Sequence, residues 1–237
     1  MQIFYTPDIA IKPELPEEEA GHCIRVLRLG EGDEIVLTDG QGSFYKAAIS
    51  RAHPKHCEVT LLESWKQPDL WNFNLHIAIA PTKNMDRMEW FVEKATEIGI
   101  NAITCLNCRF SERKEIKPIR LEKILVSAMK QSQKATLPAL EGMTDFKKFV
   151  ATPFDGRKFI AHCEEGEKPL LKHTYQPGEN ALILIGPEGD FSPEEIKLAQ
   201  ENGFLCICPD GRLQMSRFDT ANLQKQLRWW LAIRFMC

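Results

Sequence analysis

The chain has 237 residues, enough for one large domain or two modest ones, and its 43% hydrophobic and 27% charged residues are those of an ordinary soluble globular protein. A formal net charge of −3 argues against a wholly basic nucleic-acid binder. No apolar run approaches the ~18 residues of a membrane span, and the acidic stretch MQIFYTPDIAIKPELPEEEAGH lacks the basic region and apolar core of a signal peptide, so a cytoplasmic protein is expected.

Residues 1 to about 70 read as short strands. In DEIVLTDGQGSFYKAAISRAH, two strands flank the turn signal Asp39-Gly40-Gln41-Gly42, which predicts a hairpin, and CEVTLLES is a third strand. KQPDLWN, residues 66 to 72, reads as a linker, so a small β-rich domain over 1–70 is expected before a second domain over 71–237. Beyond the linker the texture changes. LHIAIAP is a strand, and Met88, Phe91, Val92, Ala95 and Ile98 then fall at helical spacing, with Gly99 where a C-cap glycine belongs. AITCL is a strand, Pro118 opens an amphipathic helix over 118–133, and KFIAH, ALILIG and FLCIC are further strands. Residues 220 to 236 suit a last helix. Strands alternating with helices imply an α/β domain with a mostly parallel sheet.

The stretch ALILIGPEGDFSPEEI, residues 181 to 196, joins a buried strand to an acidic, glycine-bearing turn and a helix. Ser192 is the natural N-cap, Pro193 suits the first turn, and Glu195 completes a capping box. Gly186 and Gly189 permit positive φ or close approach of a ligand to the backbone. Open α/β sheets hold ligands at such strand ends; a tight turn with no ligand fits the spacing equally well. No G-x-G-x-x-G, G-x-x-x-x-G-K-[ST] or G-x-S-x-G is present, so the turn is neither a Walker loop nor a standard Rossmann turn.

Charge is uneven. From Asn107 to Lys134 there are eight Lys/Arg against three Glu, which suits either a local polyanion site or a solvated helix face. The eight cysteines do not read as a disulfide framework. Cys105 and Cys108 have a zinc-like spacing, but Cys206 and Cys208 alternate in an apolar run, so free buried thiols and no metal are expected.

Four stretches resemble the bacterial 16S rRNA uridine-N3 methyltransferases of the RsmE type, in the SPOUT class. HCIRVLRLGEGDEIVLTDGQG resembles the signature of their PUA-like N-terminal barrel, and KNMDRMEWFVEKATEIGI the first helix of their catalytic domain. CRFSERK with SAMKQSQKATLP is similar to the basic segments that follow, and LIGPEGDFSPEEI to the cofactor loop. The resemblance implies a SPOUT domain with a C-terminal trefoil knot behind a PUA-like RNA-binding domain, a homodimer, S-adenosylmethionine as cofactor and the 16S rRNA of the small ribosomal subunit as partner. It implies that Leu184, Ile185, Gly186, Pro187, Glu188 and Gly189 border the cofactor, with Ala161 and His162 from the neighbouring strand end.

It also sorts the basic residues. His22, Arg25 and Arg28 either reach RNA phosphates or solvate a helix face, and Arg109, Arg113 and Lys114 stand at a strand end with the same two readings. Gln131 and Ser132 either serve the site or cap their helix, and Glu188 either meets the cofactor or steadies its own turn. Two rivals remain: a non-catalytic RNA-binding protein on a degenerate knot, and a SPOUT enzyme with another RNA target.

The C-terminus departs from the pattern. RFDTA can be matched to the family's R-T-E-T-A, making Arg217 the candidate catalytic arginine, but the residues before it fit poorly. One permitted coding of LQKQLRWWLAIRFMC, read from its third base, yields TETAALVACHTVHV, which resembles the family's terminal helix. A frame change between about Phe204 and Leu223, with reduced activity, is therefore expected; genuine divergence is the alternative.

Overall fold

The computed structural model describes residues 2–164 and 168–208. By its internal contacts the chain divides into two units: Met1–Leu70 with Lys123–Leu137, and Trp71–Glu122 with Pro138–Cys237.

The first unit is built on a four-stranded mixed sheet: β1 (Ile3–Tyr5), β2 (Glu34–Thr38), β3 (Ser43–Arg51) and β4 (Glu58–Lys66), in that order. β1 runs parallel to β2, and the later pairs are antiparallel. The hairpin is where the turn signal put it. The Asp39 carboxylate accepts from the Gln41 and Ser43 N–H groups at 2.7 and 3.1 Å, and Gly40 and Gly42 take the positive φ that a side chain resists. A short helix, α1 (Glu17–Gly21), runs into a π-helical turn, His22–Val26. Phe4, Ile9, Leu37 and Ile49 pack into the core beneath the sheet.

Residues 123–137 add to this core from far along the sequence. Ala135 packs with Ile3 and Phe44, and the Lys130 ammonium meets the Glu19 carboxylate at 2.6 Å, both side chains largely buried. These residues include most of α3 (Pro118–Gln131), and Ser132 Oγ closes its last turn by donating to the Ala128 carbonyl at 2.7 Å.

Among the described residues the second unit holds a sheet of six strands, each parallel to its neighbours: β5 (Leu75–Ile79), β6 (Ala102–Asn107), β7 (Ala139–Asp145), β8 (Arg157–Ala161), β9 (Ala181–Ile185) and β10 (Leu205–Ile207). The spatial order is β10-β8-β9-β5-β6-β7. From β5 the chain steps outward to β7, then returns to build the other side, so the order reverses between β5 and β9. That is the switch point at which such sheets open a crevice beyond their strand ends. Helix α2 (Met85–Ile98) turns Met88, Phe91, Val92 and Ala95 inward and ends on Gly99 at φ 101°, as its spacing predicted. The helices α4 (Phe146–Val150), α5 (Leu171–Thr174) and α6 (Pro193–Glu201) are its other helices among the described residues. Phe146, Phe149, Leu184, Phe191 and Phe204 share one apolar cluster. The helix expected over 220–236 and Arg217 lie outside the described residues, as does the span from 209 to 223 in which most of the room for the expected frame change falls.

Candidate active site

Four loops leave the carboxyl ends of β5, β6, β8 and β9, and the acidic turn after β9, with the first turn of α6 that follows it, ties the other three to itself. Glu188 Oε1 accepts the Lys83 N–H at 2.8 Å, from the loop after β5. Asp190 Oδ2 accepts the Cys163 N–H at 2.7 Å, from the loop after β8. Glu195 Oε1 accepts the Arg109 N–H at 2.8 Å, from the loop after β6. The three acids thus form a hub of charge-assisted bonds to main-chain donors, roughly twice as strong as neutral ones. They fix the mouth of the crevice while adding no net cation or nucleophile to it.

Local sequence explains the hub's own rigidity. Ser192 Oγ accepts the Glu195 N–H at 3.3 Å and Glu195 Oε2 accepts the Ser192 N–H at 2.9 Å, the expected capping box, with Pro193 in the first turn. Asp190 Oδ1 also accepts its neighbour's N–H, from Phe191 at 2.8 Å, and burial pushes the Asp190 carboxyl above its usual range.

Of the two roles the sequence allows these glycines, positive φ is not taken. Neither Gly186 nor Gly189 has a positive φ; the left-handed residue of the turn is Asp190, at φ 64°. A Cβ on Gly186 would stand 3.1 Å from the Phe191 ring, and one on Gly189 3.3 Å from Phe110 Cβ. Their missing side chains admit phenylalanines first, so a valine at 186 would disturb packing as well as any ligand.

Register brings the other expected cofactor residues together. Ala161 pairs with Ile185, and Leu184 is fully buried beside them. Pro187 is buried, Glu188 half-buried and Gly189 exposed. His162 is only 5% exposed, yet neither of its ring nitrogens has a hydrogen-bond partner among the described residues. Burial, helped by the Lys168 charge, lowers its pKa to about 4, so the ring is neutral at pH 7. Glu188 Oε2 is likewise buried with no partner among the described residues. Its other oxygen steadies the β5 loop, an assignment neither sequence reading had offered.

The basic residues divide. Arg113 donates to the Thr82 and Lys83 carbonyls at 3.2 and 2.6 Å, and Lys114 to Asn107 Oδ1 and the Cys108 carbonyl at 3.2 and 3.1 Å. Both hold loop backbone. Arg109 reaches outward to Glu194 at 2.9 Å, with both side chains mostly exposed. His22, Arg25 and Arg28 belong to the first unit. His22 is held by the Gln2 amide at 3.3 Å and lies 6.3 Å from the Phe4 ring. Arg28 is not on a helix face with Arg25, as its spacing had suggested: it lies past the π-helical turn, at φ 59°.

Cys105 and Cys108 are buried free thiols, and burial pushes Cys105 up to about 12. Cys206 and Cys208 are only half-buried, against the expectation of a buried alternation. Among the described residues, no three His, Cys, Asp or Glu side chains cluster as a metal site.

The fold is that of a parallel-sheet α/β domain, its strand-end loops tied together, joined to a small, mostly antiparallel β unit. Comparison with known proteins makes this specific. Residues 69–210 match the family described as the RNA methyltransferase domain, and residues 15–62 the RNA methyltransferase PUA domain. The chain belongs to this RNA methyltransferase family. A probable rRNA-methyltransferase from Porphyromonas gingivalis is 39% identical, with a TM-score of 0.89, covering 100% of this chain and 98% of that one. A putative methyltransferase from Legionella pneumophila, solved with the bound cofactor SAM, is 26% identical, with a TM-score of 0.80 and 98% coverage of both chains. The ribosomal RNA small subunit methyltransferase E of Bacillus subtilis is 24% identical over 203 residues, 80% of this chain and 79% of its own.

Proposed function

We propose that the chain transfers the methyl group of S-adenosylmethionine to N3 of a uridine in 16S rRNA of the small ribosomal subunit. The observation that carries this reading is the three-acid hub, which fixes four strand-end loops around the switch-point crevice. The buried, unpartnered nitrogens of His162 fit a polar ligand there, because a neutral imidazole donates from one nitrogen and accepts at the other. Leu184 to Gly189, with Ala161 and His162, would hold the cofactor. Bound, it supplies a methyl group on a positively charged sulfonium.

The protein's own work follows from the target atom. N3 lies on the Watson–Crick edge of uracil, so the base must be unpaired or splayed out to be reached. Its proton must leave before or during attack, and the site must align N3 with the methyl group and favour the uracil anion. Arg109, Arg25 and Arg28 are the cations that would meet phosphates, whereas Arg113 and Lys114 hold the loops. The same reading places the protein in the cytoplasm, as a homodimer, with a C-terminal trefoil knot and Arg217 near the base. A frame change beyond Phe204 would remove those last features, and sequencing the source DNA decides it.

The test is nucleoside mass spectrometry of unmodified small subunits incubated with protein and S-adenosylmethionine. 3-Methyluridine in the 16S rRNA is expected. Its absence, together with no cofactor binding by calorimetry, would overturn the reading.

A further inference from the structure

Phe110 is an anomaly in the second unit: a large aromatic side chain 46% exposed in the loop after β6, beside Gly189. Among the described residues, the other exposed Phe, Trp or Tyr side chain is Trp65, at 38% and in the first unit. Phe110 is also held in place. The preceding Arg109 N–H is fixed on Glu195, and the following Ser111 is 4% exposed and bonded to Cys108 twice. Ser111 Oγ accepts the Cys108 N–H at 3.0 Å, and the Ser111 N–H donates to the Cys108 carbonyl at 3.2 Å. The backbone on both sides is therefore pinned, and the ring is presented to solvent by a rigid loop. Its Cβ lies against Gly189, where any side chain would crowd it, so the ring flanks the cofactor turn directly.

Charge around the ring identifies what it meets. The Arg109 guanidinium stands 5.6 Å from the ring centroid, and its partner Glu194 is exposed, so the ion pair is weakly held and exchanges readily for a phosphate. An exposed aromatic face beside such a cation suits an unpaired nucleobase with its backbone phosphate. Stacking uses the flat face of a base and leaves its Watson–Crick edge free, which methylation at N3 requires.

We propose that Phe110 is the platform on which the RNA base stacks as it enters the crevice, with Arg109 on the adjacent phosphate. The proposal rests on the reading of the chain as an rRNA methyltransferase.

Two measurements on the full chain test it. In methylation of unmodified small subunits, Phe110→Ala lowers kcat/KM on the order of ten- to a hundredfold, the usual loss on removing a base-stacking aromatic. Phe110→Trp stays within a few-fold of the wild type. Phe110→Leu, apolar but without a π face, does not rescue. S-adenosylmethionine affinity, measured by calorimetry, is unchanged in all three. Equilibrium binding of single-stranded oligouridine reads the stack without turnover: Phe110→Ala weakens it about tenfold and Phe110→Trp preserves it. Equal oligouridine affinity for wild type and Phe110→Ala overturns the proposal even if the enzyme methylates subunits. Loss of oligomeric state in Phe110→Ala, by sedimentation, overturns it in favour of a protein interface.

Discussion

The acidic turn after β9 and the segment His22–Arg28 of the first unit use their polar groups in opposite ways. Glu188, Asp190 and Glu195 each accept a main-chain N–H from a different loop, at 2.7 to 2.8 Å. Arg25 and Arg28 are exposed, and their side chains make no ion pair or hydrogen bond with another described residue; Val26 between them is 64% exposed. Fixing matters where a small ligand must sit within fractions of an ångström of a reacting atom. It matters far less for phosphate recognition, which works through long-range charge and counterion release. A rigid hub and unengaged cations are therefore two solutions to two tasks.

The comparison breaks most sharply at Glu195. Replacing it with Ala deprives the Arg109 and Ser192 N–H groups of their acceptor at a position only 6% exposed. One buried and one part-buried donor left without a partner cost about 3 kcal/mol together at most. Denaturant unfolding of Glu195→Ala should show that loss, with weaker S-adenosylmethionine binding. Wild-type stability would mean the loops are held by packing alone.

Next in size is an acid sensitivity at His162. Its folded pKa, about 4, lies below the unfolded value of 6.5, so the unfolded chain binds the extra proton between them. Stability from this group is complete above pH 6.5 and is lost as pH falls toward 4. The loss reaches about 3 kcal/mol near pH 4. His162→Gln should flatten that part of the stability-against-pH curve, and an unchanged slope would remove His162 as its cause.

Much of the hub's framework was legible in sequence, but the way it ties the other loops was not. Apolar runs marked β5, β6, β8 and β9, and the Ser192–Glu195 spacing marked the cap of α6. The acids were visible too, but their partners were the backbone N–H groups of Lys83, Cys163 and Arg109, which carry no side-chain signature. Glycine is the residue whose sequence signals a left-handed turn, yet Asp190 takes that conformation here, its carboxylate held on both oxygens. β7 (ALEGMTD) was not anticipated, since an edge strand with a glycine and two acids lacks an apolar run. Nor could periodicity show that Lys130 meets Glu19, 111 residues earlier.

A smaller effect probes the other side of the comparison. Reversing Arg25 and Arg28 to Glu should weaken RNA binding on the order of tenfold at low salt. It should lower the slope of log K against log salt by about two, one per lost phosphate contact. Melting temperature and S-adenosylmethionine affinity should not move. An unchanged salt slope would make these arginines surface solvation only.

The smallest expected effect on stability belongs to Arg109, which combines both behaviours in one residue. Its N–H is part of the hub, while its guanidinium is an exposed cation with an exposed partner, the two side chains 60% and 72% accessible. Alanine keeps the N–H and removes only the guanidinium. An ion pair in that much water contributes little, since hydration and salt screening offset its attraction and two long side chains lose freedom to form it. Arg109→Ala should therefore melt with the wild type, whereas proline at the same position, which removes the N–H, should not. RNA affinity separates the roles: it should fall in Arg109→Ala and become less salt-dependent, as in the Arg25 and Arg28 variant. A lowered melting temperature in Arg109→Ala would show that the guanidinium itself holds the β6 loop on α6, and the division between fixed acids and unengaged cations would not extend to this residue.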